Sequence, residues 1–373
     1  MKLYIIAGEA SGDLHGAALI RQLKQKQPDI SIKAWGGDKM KAEGADIDFH
    51  YENASFMGFV EVLRNLWYIL KLFRLTKSSI LAWKPDALLL IDYPGFNLRM
   101  AAWAKSKNIP VYYYISPQVW AWKEKRVEII KLCVKKMFVI LPFEKEFYKK
   151  HSYPVIFEGH PLINNISQFK FNPKFRSNNQ IDSRSIIALL PGSRAQEIKT
   201  KLPIFLNALK NENKYNVVIA GLEHNKAIYN SLVKDIRPGT HIVYDNTYQL
   251  LHQSFLAIVT SGTATLETAL FNVPQVVCYK GNSISYEIAK RLIKLSYISL
   301  VNLILHKNVI TELIQYELTD DNLQTEIRRL KDPIIRTKIK LNYQELQTVL
   351  GDGRTSEKIA DHLIQDFASL KLL

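Results

Sequence analysis

The chain has 373 residues, which is long enough for two domains that each bury a core of their own. It carries 50 lysines and arginines against 35 aspartates and glutamates, so its formal charge of +15 favours anionic partners: phosphorylated substrates, anionic lipid or nucleic acid. The two cysteines, Cys133 and Cys278, lie far apart in apolar segments, which excludes a disulfide framework and favours the cytoplasm. The apolar run after Met1 is too short for a signal peptide, and no stretch has the length of a membrane span.

Short apolar runs alternate with helical patterns through the first half of the chain. The runs that are typical of buried strands cover residues 2–7, 30–35, 87–91, 111–115 and 137–141. Strands that alternate with helices indicate a parallel sheet with helices on its faces. Because ligands bind at the carboxyl ends of such strands, we expect the site of a first domain, residues 1–163, in the loops that follow them.

Two of these loops carry acidic residues. The first, Ala7-Gly8-Glu9-Ala10-Ser11-Gly12-Asp13, leads into a helix, and its glycines either admit a ligand closely or serve a tight turn. Asp92 follows the strand over 87–91, where its carboxylate is well placed to act as a base or to cap the next helix. In a third loop, 116–122, Trp120 and Trp122 form an aromatic wall or pack beneath the loop.

Residues 56–83 are unusually apolar and basic. On a helix, Val62, Leu66, Ile69 and Phe73 share one stripe. One interpretation is a helix that faces the core and leaves its cations in solvent. The other is a surface that rests on lipid headgroups, to which we assign Trp67, Leu70, Phe73 and Arg74.

The second half repeats the alternation after a polar, asparagine-rich stretch, 164–185, which we interpret as a linker. The second domain, 186–350, has strand patterns at 186–190, 217–220, 241–244, 255–259 and 275–279. A last amphipathic helix within 351–373 is expected to return to the first domain.

Strand, polar loop and helix follow one another around residues 255–270. Ser261, Gly262 and Thr263 fall at the helix N-terminus, where backbone N–H groups can bind a diphosphate and Glu267 can accept hydrogen bonds from sugar hydroxyls. The alternative is an ordinary N-cap. Ser193 and Arg194 follow the strand over 186–190 in the same way, and two such loops can converge on one diphosphate.

The motifs, taken together and in order, resemble the lipid-A-disaccharide synthase family of GT-B glycosyltransferases. They are Ala7 to Asp13, Ile91-Asp92 with Phe96-Asn97, Ser116 to Trp122, Leu141 to Glu144, Gly159-His160, Pro191 to Arg194 and Ser261 to Glu267. The resemblance implies the GT-B layout, an α/β fold with two Rossmann-like, doubly wound parallel-sheet domains facing a central cleft.

The resemblance also implies a reaction. A 2,3-diacylglucosamine would pass from UDP to the 6-hydroxyl of 2,3-diacylglucosamine 1-phosphate, forming a β-1′,6 bond and releasing UDP. Glu9, Asp92, Ser11 and Trp120 would belong to the acceptor side, and Arg194, Glu267 and Asn302 would hold UDP. The sequence departs from the family pattern at Tyr93, Gly95, Val301 and His306-Lys307, which weakens the assignments near those positions.

Inversion from an α-linked donor to a β-linked product needs a base and a stabilised leaving group, but no covalent nucleophile. Asp92 is our first choice of base and Glu9 our second, because both follow strand ends. His15 and His160 are weaker choices, since a lone histidine beside glycine is more often structural. We expect no cofactor and no metal, and give Asp46-Ile47-Asp48 little weight as a metal motif.

The expected partners are the UDP-linked donor, the lipid acceptor and the cytoplasmic face of the inner membrane, with no nucleic acid; a homodimer is left open. One alternative is another GT-B enzyme that acts on a UDP-aminosugar, such as an epimerase or a peptidoglycan-type transferase. A second is a basic membrane or nucleic-acid binding protein without catalysis, but its cations would have to cluster on one face, whereas here they are spread along the chain.

Overall fold

A computed structural model describes residues 1–54, 66–121, 124–282, 286–287 and 296–370. The chain divides into two compact units. Unit 1 comprises Met1–Asn164 and Leu350–Leu373, and unit 2 comprises Asn165–Val349. Each unit is built on one parallel sheet, which confirms the predicted class of two doubly wound α/β domains.

Unit 1 contains a seven-stranded parallel sheet in the order β3-β2-β1-β4-β5-β6-β7. Its strands are β1 (Lys2–Ala7), β2 (Ser31–Gly36), β3 (Asp46–His50), β4 (Ala87–Ile91), β5 (Val111–Tyr114), β6 (Lys136–Val139) and β7 (Ile156–Phe157). Its helices are α1 (Ala10–Lys26), α2 (Asp38–Ala42), α3 (Leu66–Trp83), α4 (Pro94–Ser106), α5 (Arg126–Cys133), α6 (Glu144–Lys150) and α7 (Pro161–Ser167), together with α16 (Thr355–Leu370).

Both faces of this sheet are buried, because side chains of a strand alternate between the two sides. Leu3 and Ile5 of β1 belong to one core cluster, and Tyr4 and Ile6 belong to the other. The C-terminal helix α16 packs on α1 and contributes Leu363 to the first of these clusters. The near-continuous apolar runs of the central strands are thus explained by burial on both sides.

Unit 2 contains a six-stranded parallel sheet in the order β10-β9-β8-β11-β12-β13. Its strands are β8 (Ile186–Leu190), β9 (Asn216–Gly221), β10 (His241–Tyr244), β11 (Ser254–Thr260), β12 (Gln275–Tyr279) and β13 (Glu312–Ile314). Its helices are α8 (Phe175–Asn178), α9 (Ala195–Ala208), α10 (Lys226–Ile236), α11 (Thr247–His252), α12 (Thr263–Leu270), α13 (Leu300–Leu305), α14 (Asp320–Leu330) and α15 (Pro333–Leu350).

The segment 164–185 is folded onto unit 2, although its polar composition favoured a linker. Helix α8 lies inside it, and Phe175 and Ile181 are buried in the core with Ile186 and Val218. Phe169 and Phe171 also pack on unit 2, against Phe271 (ring centroids 5.2 Å apart) and His252 (4.6 Å), so apolar side chains attach this polar segment to the unit. The sequence also predicts a helix from Tyr286 to Lys294, but almost all of that range lies outside the described residues.

Asp13, the last residue of the Ala7 to Asp13 motif, joins α1 to the loop before α2. Its buried carboxylate accepts hydrogen bonds from the backbone N–H groups of Gly37 (2.7 Å), Lys39 (3.1 Å) and Met40 (3.1 Å). The carboxylate thereby satisfies the first turn of α2, whose N-cap Gly37 has no side chain to do so. This residue of the motif therefore has a structural role.

We expect Asp13→Ala to lower the free energy of unfolding of unit 1 by about 3 kcal/mol, because buried N–H groups lose their acceptor. All tryptophans of the chain precede residue 123, so their fluorescence in a urea titration reports on unit 1. The control Asp29→Ala removes an exposed carboxylate and should change stability by less than about 0.5 kcal/mol. Equal effects of the two changes would contradict this role of Asp13.

Candidate active site

In each sheet the chain first adds strands on one side of the first strand and then adds the remaining strands on its other side. The loops predicted to form the site follow the two strands where this reversal of direction occurs. In unit 1 the reversal lies between β1 and β4, which pair from Leu3 with Ala87 to Ala7 with Ile91. In unit 2 it lies between β8 and β11, where Leu190 pairs with Val259. Crevices at such reversals are where doubly wound sheets bind ligands. The structure thus brings Glu9 close to Asp92, and Arg194 close to Ser261, each pair at one sheet edge.

In unit 1, the turn after β4 is strained. Asp92 and Tyr93 both have left-handed backbone conformations, with φ of 45° and 47°. Residues other than glycine rarely adopt this conformation. Asn97 holds this turn by donating from Nδ2 to the Asp92 carbonyl at 2.8 Å, and the Tyr113 hydroxyl donates to the same carbonyl. Strain that is held in place by buried partners is typical of functional sites.

The carboxyl group of Asp92 is held in an unusual environment. Burial, and then the negative charge of Glu9, raise its pKa to about 6. Gly8 makes room for the neighbouring Tyr93, because a Cβ at Gly8 would lie 2.4 Å from the Tyr93 ring. A carboxyl group with a pKa raised to about 6 is suited to accept a proton near neutral pH.

Of the two histidines weighed as acid or base, His160 is buried and His15 is half-buried. Burial lowers the pKa of His15 to about 4, and burial together with His15 lowers that of His160 to about 3. His160 accepts a hydrogen bond from the Leu162 N–H at 3.2 Å through Nδ1, so it fixes the start of α7. Because both imidazoles stay neutral near pH 7 and His160 holds a helix end, these histidines have structural roles rather than a role as acid or base.

The other acceptor-side residues of unit 1 differ in accessibility. Ser11 is exposed on the first turn of α1. The Trp120 ring packs edge-on against Phe143, with centroids 4.9 Å apart, and its buried Nε1 lies beside the Glu144 carboxylate. Trp122 lies outside the described residues.

Helix α3 presents an apolar and basic face to solvent. Trp67 is 81% exposed and Leu70 38% exposed, and Lys71 and Arg74 lie beside them. The expectation that Phe73 shares this face is wrong: it packs on the core against Phe96, with ring centroids 5.3 Å apart. The rest of the predicted stripe, 56–65, is outside the described residues. None of the described helices is long and apolar enough to cross a membrane.

In unit 2, the loops after β8 and β11 border one cavity of about 540 Å³. It is lined by Ser193, Arg194, Ser261, Gly262, Thr263 and Glu267, six of the seven residues assigned to the nucleotide, together with Thr247 and Thr260. Arg194 is largely exposed, with its guanidinium 4.0 Å from the Glu197 carboxylate. The lining is chemically suited to a diphosphate, because a cation and a helix N-terminus share it.

The N-terminus of α12 has no side-chain cap. Its N-cap is Gly262, whose φ of 151° favours glycine, and no side chain accepts from the first turn there. The Ser261 hydroxyl instead donates to the Ile298 carbonyl at 3.0 Å. The N-cap alternative for Ser261 is therefore wrong, and the first N–H groups of α12 remain available for an anion.

Glu267 lies one turn into α12 with a fixed carboxylate. The Tyr248 hydroxyl donates to its Oε1 at 2.9 Å, and burial raises its pKa. Tyr248 is a partner that the sequence analysis missed, because it comes from α11 and no local pattern links the two residues. The hydrogen bond orients Glu267 within the cavity wall.

Asn302 lies outside the cavity lining. It is fully buried, and its Nδ2 donates to the Ile310 carbonyl (2.8 Å) and to Glu312 (2.9 Å), while its Oδ1 accepts from the N–H groups of Val309 (2.9 Å) and Ile310 (3.1 Å). All of its hydrogen-bonding capacity is thus used within the protein. Glu312 also accepts from the N–H of Ile298, the residue that Ser261 contacts, so Asn302 reaches the site only indirectly.

The Asp46-Ile47-Asp48 motif is part of strand β3. Asp48 accepts a hydrogen bond from the Tyr4 hydroxyl at 2.6 Å and pairs with Lys33 at 3.4 Å. Within the described part of the chain, no group of three or more His, Cys, Asp or Glu residues is placed to hold a metal ion.

The family model described as lipid-A-disaccharide synthetase matches residues 3–359 of the chain. The lipid-A-disaccharide synthase of Geobacter metallireducens is 36% identical over 375 residues, covering 98% of this chain and 97% of that protein. The one from Syntrophus aciditrophicus is 37% identical over 364 residues, covering 95% of each.

Solved structures with the same fold have little sequence in common with the chain. UDP-GlcNAc 2-epimerase from Neisseria meningitidis, bound to UDP-GlcNAc, has a TM-score of 0.70 at 15% identity, over 98% of this chain and 100% of that one. The glycotransferase of kitacinnamycin has a TM-score of 0.68 at 12% identity, over 98% of both chains. These neighbours establish the GT-B fold, and the full-length matches establish more: the chain belongs to the lipid-A-disaccharide synthase family.

Proposed function

We propose that the protein uses the loops of unit 2 to hold UDP and the strained turn of unit 1 to activate the acceptor. The reaction is the family's: a UDP-linked 2,3-diacylglucosamine is transferred to the 6-hydroxyl of 2,3-diacylglucosamine 1-phosphate, which yields the β-1′,6-linked disaccharide of lipid A and UDP. The observation that carries the proposal is the position of the family's motifs at the strand reversal of each sheet. Asp92 and Glu9 lie at one, and Arg194 and Ser261 lie at the other.

The leaving UDP would be stabilised in unit 2. Arg194 and the uncapped N-terminus of α12 offer a charged donor and backbone N–H groups where the diphosphate gains negative charge. Glu267, held by Tyr248, would accept hydrogen bonds from hydroxyls of the nucleotide sugar. An epimerase shares this fold, but the motifs of unit 1 and the full-length family match favour the transferase.

Asp92 would take the proton of the 6-hydroxyl. Its raised pKa makes it a stronger base than an ordinary aspartate, while it is still ionised at neutral pH. Glu9 would act on Asp92 through its charge. The single displacement then places the new bond on the opposite face of the sugar, as inversion requires.

The exposed face of α3 would rest on the cytoplasmic face of the inner membrane, where the lipid substrates reside. Trp67 and Leu70 supply apolar surface, and Lys71 and Arg74 supply cations for anionic headgroups. The net charge of +15 acts in the same direction.

We expect Arg194→Ala to weaken UDP binding by about 10- to 100-fold, because a charge-assisted hydrogen bond contributes roughly 1.5–3 kcal/mol. Binding of uridine, which has no diphosphate, should change little. Titration calorimetry on the full chain measures both. Arg328→Ala, which removes an exposed arginine of unit 2 away from the cavity, is the matched control. Unchanged UDP affinity in Arg194→Ala would rule out this use of the cavity.

We expect kcat to fall as the pH drops below about 6, because protonated Asp92 no longer accepts a proton. Asp92→Asn should lower kcat by about 10²- to 10⁴-fold and leave UDP affinity unchanged. Glu9→Gln removes the neighbouring negative charge, lowers the pKa of Asp92 and should therefore shift the acid limb of the pH profile to lower pH. If Glu9→Gln instead abolishes turnover and Asp92→Asn does not, Glu9 is the base.

We expect the double change Trp67→Ser and Leu70→Ser to weaken binding to anionic phospholipid vesicles and to raise the KM for the lipid acceptor. Each buried CH₂ contributes about 0.8 kcal/mol to such binding. UDP affinity and thermal stability should stay the same, because both side chains are exposed. Leu132→Ser, at a site that is 70% exposed on α5, is the control. If the double variant unfolds, and its vesicle binding falls only in proportion to the folded fraction, this face of α3 belongs to the core and does not bind the membrane.

A further inference from the structure

The anion site of unit 2 already contains a carboxylate, that of Glu197 on the first turn of α9. Its Oε2 accepts a hydrogen bond from the Ser193 N–H at 3.2 Å, and its Oε1 lies 4.0 Å from Arg194 Nη1. Gly192, with φ of 112°, makes room for it, since a Cβ there would lie 2.2 Å from Oε2. Glu197 thus uses the backbone donor and the cation that an incoming diphosphate needs.

Lys201 lies one helical turn beyond Glu197 on the same face of α9. Its side chain is only 2% exposed, yet it makes no hydrogen bond and no ion pair with any residue that the structure describes. Its charged neighbours are Glu197 and Arg194, with the Cys278 thiol nearby; burial lowers its pKa and the Glu197 charge raises it. Lys201 follows Glu197 by four residues on the helix, so a change of side-chain rotamer can bring the Glu197 carboxylate to the Lys201 ammonium.

The same end of the sheet has one unsatisfied buried hydroxyl. Thr260 lines the cavity, and its buried Oγ1 has no hydrogen-bond partner among the described residues. Thr260 and Cys278 are register partners of β11 and β12, so their side chains lie on one face of the sheet, and Lys201 reaches Cys278 from α9. The Thr260 hydroxyl is therefore available to a ligand in the cavity, next to the strand that Lys201 reaches.

We propose that Glu197 is a displaceable occupant of the diphosphate site, and that its carboxylate moves to Lys201 when the ligand's diphosphate takes the Ser193 N–H. A glutamate four residues before a lysine is in the favourable orientation for a helical ion pair, so side-chain rotation alone makes the exchange. The negative charge of the diphosphate repels the Glu197 carboxylate, and this repulsion drives the exchange. Glu197 and Lys201 are positioning residues in this scheme, which rests on UDP binding in unit 2.

A double-mutant cycle measured by calorimetry on the full chain, with UDP and with uridine, tests the exchange. Glu197→Gln keeps an acceptor for the Ser193 N–H but removes the charge, so UDP should bind about fivefold more tightly. Lys201→Met removes the receiving cation, so UDP should bind about tenfold more weakly. In the Glu197→Gln background the Lys201→Met penalty should vanish, and uridine affinity should stay constant throughout.

Weaker or unchanged UDP binding in Glu197→Gln would overturn the exchange and identify Glu197 as a fixed brace of the loop. An equal Lys201→Met penalty in both backgrounds would also overturn it, because Lys201 would then act on the diphosphate directly. If Lys201→Met does not fold, the UDP affinity of Glu197→Gln tests the exchange by itself, since only the exchange predicts tighter binding. A wild-type chain that binds no UDP would overturn the proposed function as well, whereas failure of the cycle with intact UDP binding would overturn the exchange alone.

Discussion

The reversal of strand order at the centre of each parallel sheet is the constraint on which both sites depend. Crossover connections in such sheets are right-handed, so the helices on the two sides of the reversal pack on opposite faces. The loops after β1 and β4 in unit 1, and after β8 and β11 in unit 2, are therefore left uncovered at the carboxyl edge. The side chains proposed to be functional come from distant parts of the sequence and meet at this edge because the strands that precede them are neighbours in the sheet.

The two sites use opposite electrostatic devices on the same scaffold. Unit 1 buries Asp92 near Glu9, which destabilises the charged carboxylate and raises its pKa, the property that the proposed base role uses. Unit 2 presents an arginine and an uncapped helix N-terminus, which stabilise negative charge. The proposed function thus assigns proton removal and leaving-group stabilisation to separate units, and in the proposed exchange Glu197 occupies the positive site until UDP binds.

The central strands could be predicted from sequence because burial on both faces demands continuous apolar runs, as in β4 and β8. The edge strands β3, β7 and β13 could not, since none of them contains a continuous run of three apolar residues; the edge strand β10 does contain one and was predicted. The positions of Asp92 and Arg194 after strands, and of Glu267 in the helix that follows β11, were predicted from the strand ends. Their partners Tyr113, Asn97 and Tyr248 did not, because contacts between separate elements leave no periodic pattern, and Phe73 was misplaced because one helix carries two apolar faces.

The most direct test of this account is the product itself. Purified protein incubated with UDP-2,3-diacylglucosamine and 2,3-diacylglucosamine 1-phosphate should release one UDP for each disaccharide 1-phosphate formed, and NMR of the product should show a β-configured 1′,6 bond. An α-configured bond would contradict the single displacement with Asp92 as base. Release of UDP with free sugar, or no turnover of the two lipids, would contradict the assignment of the two sites to a disaccharide-forming transfer.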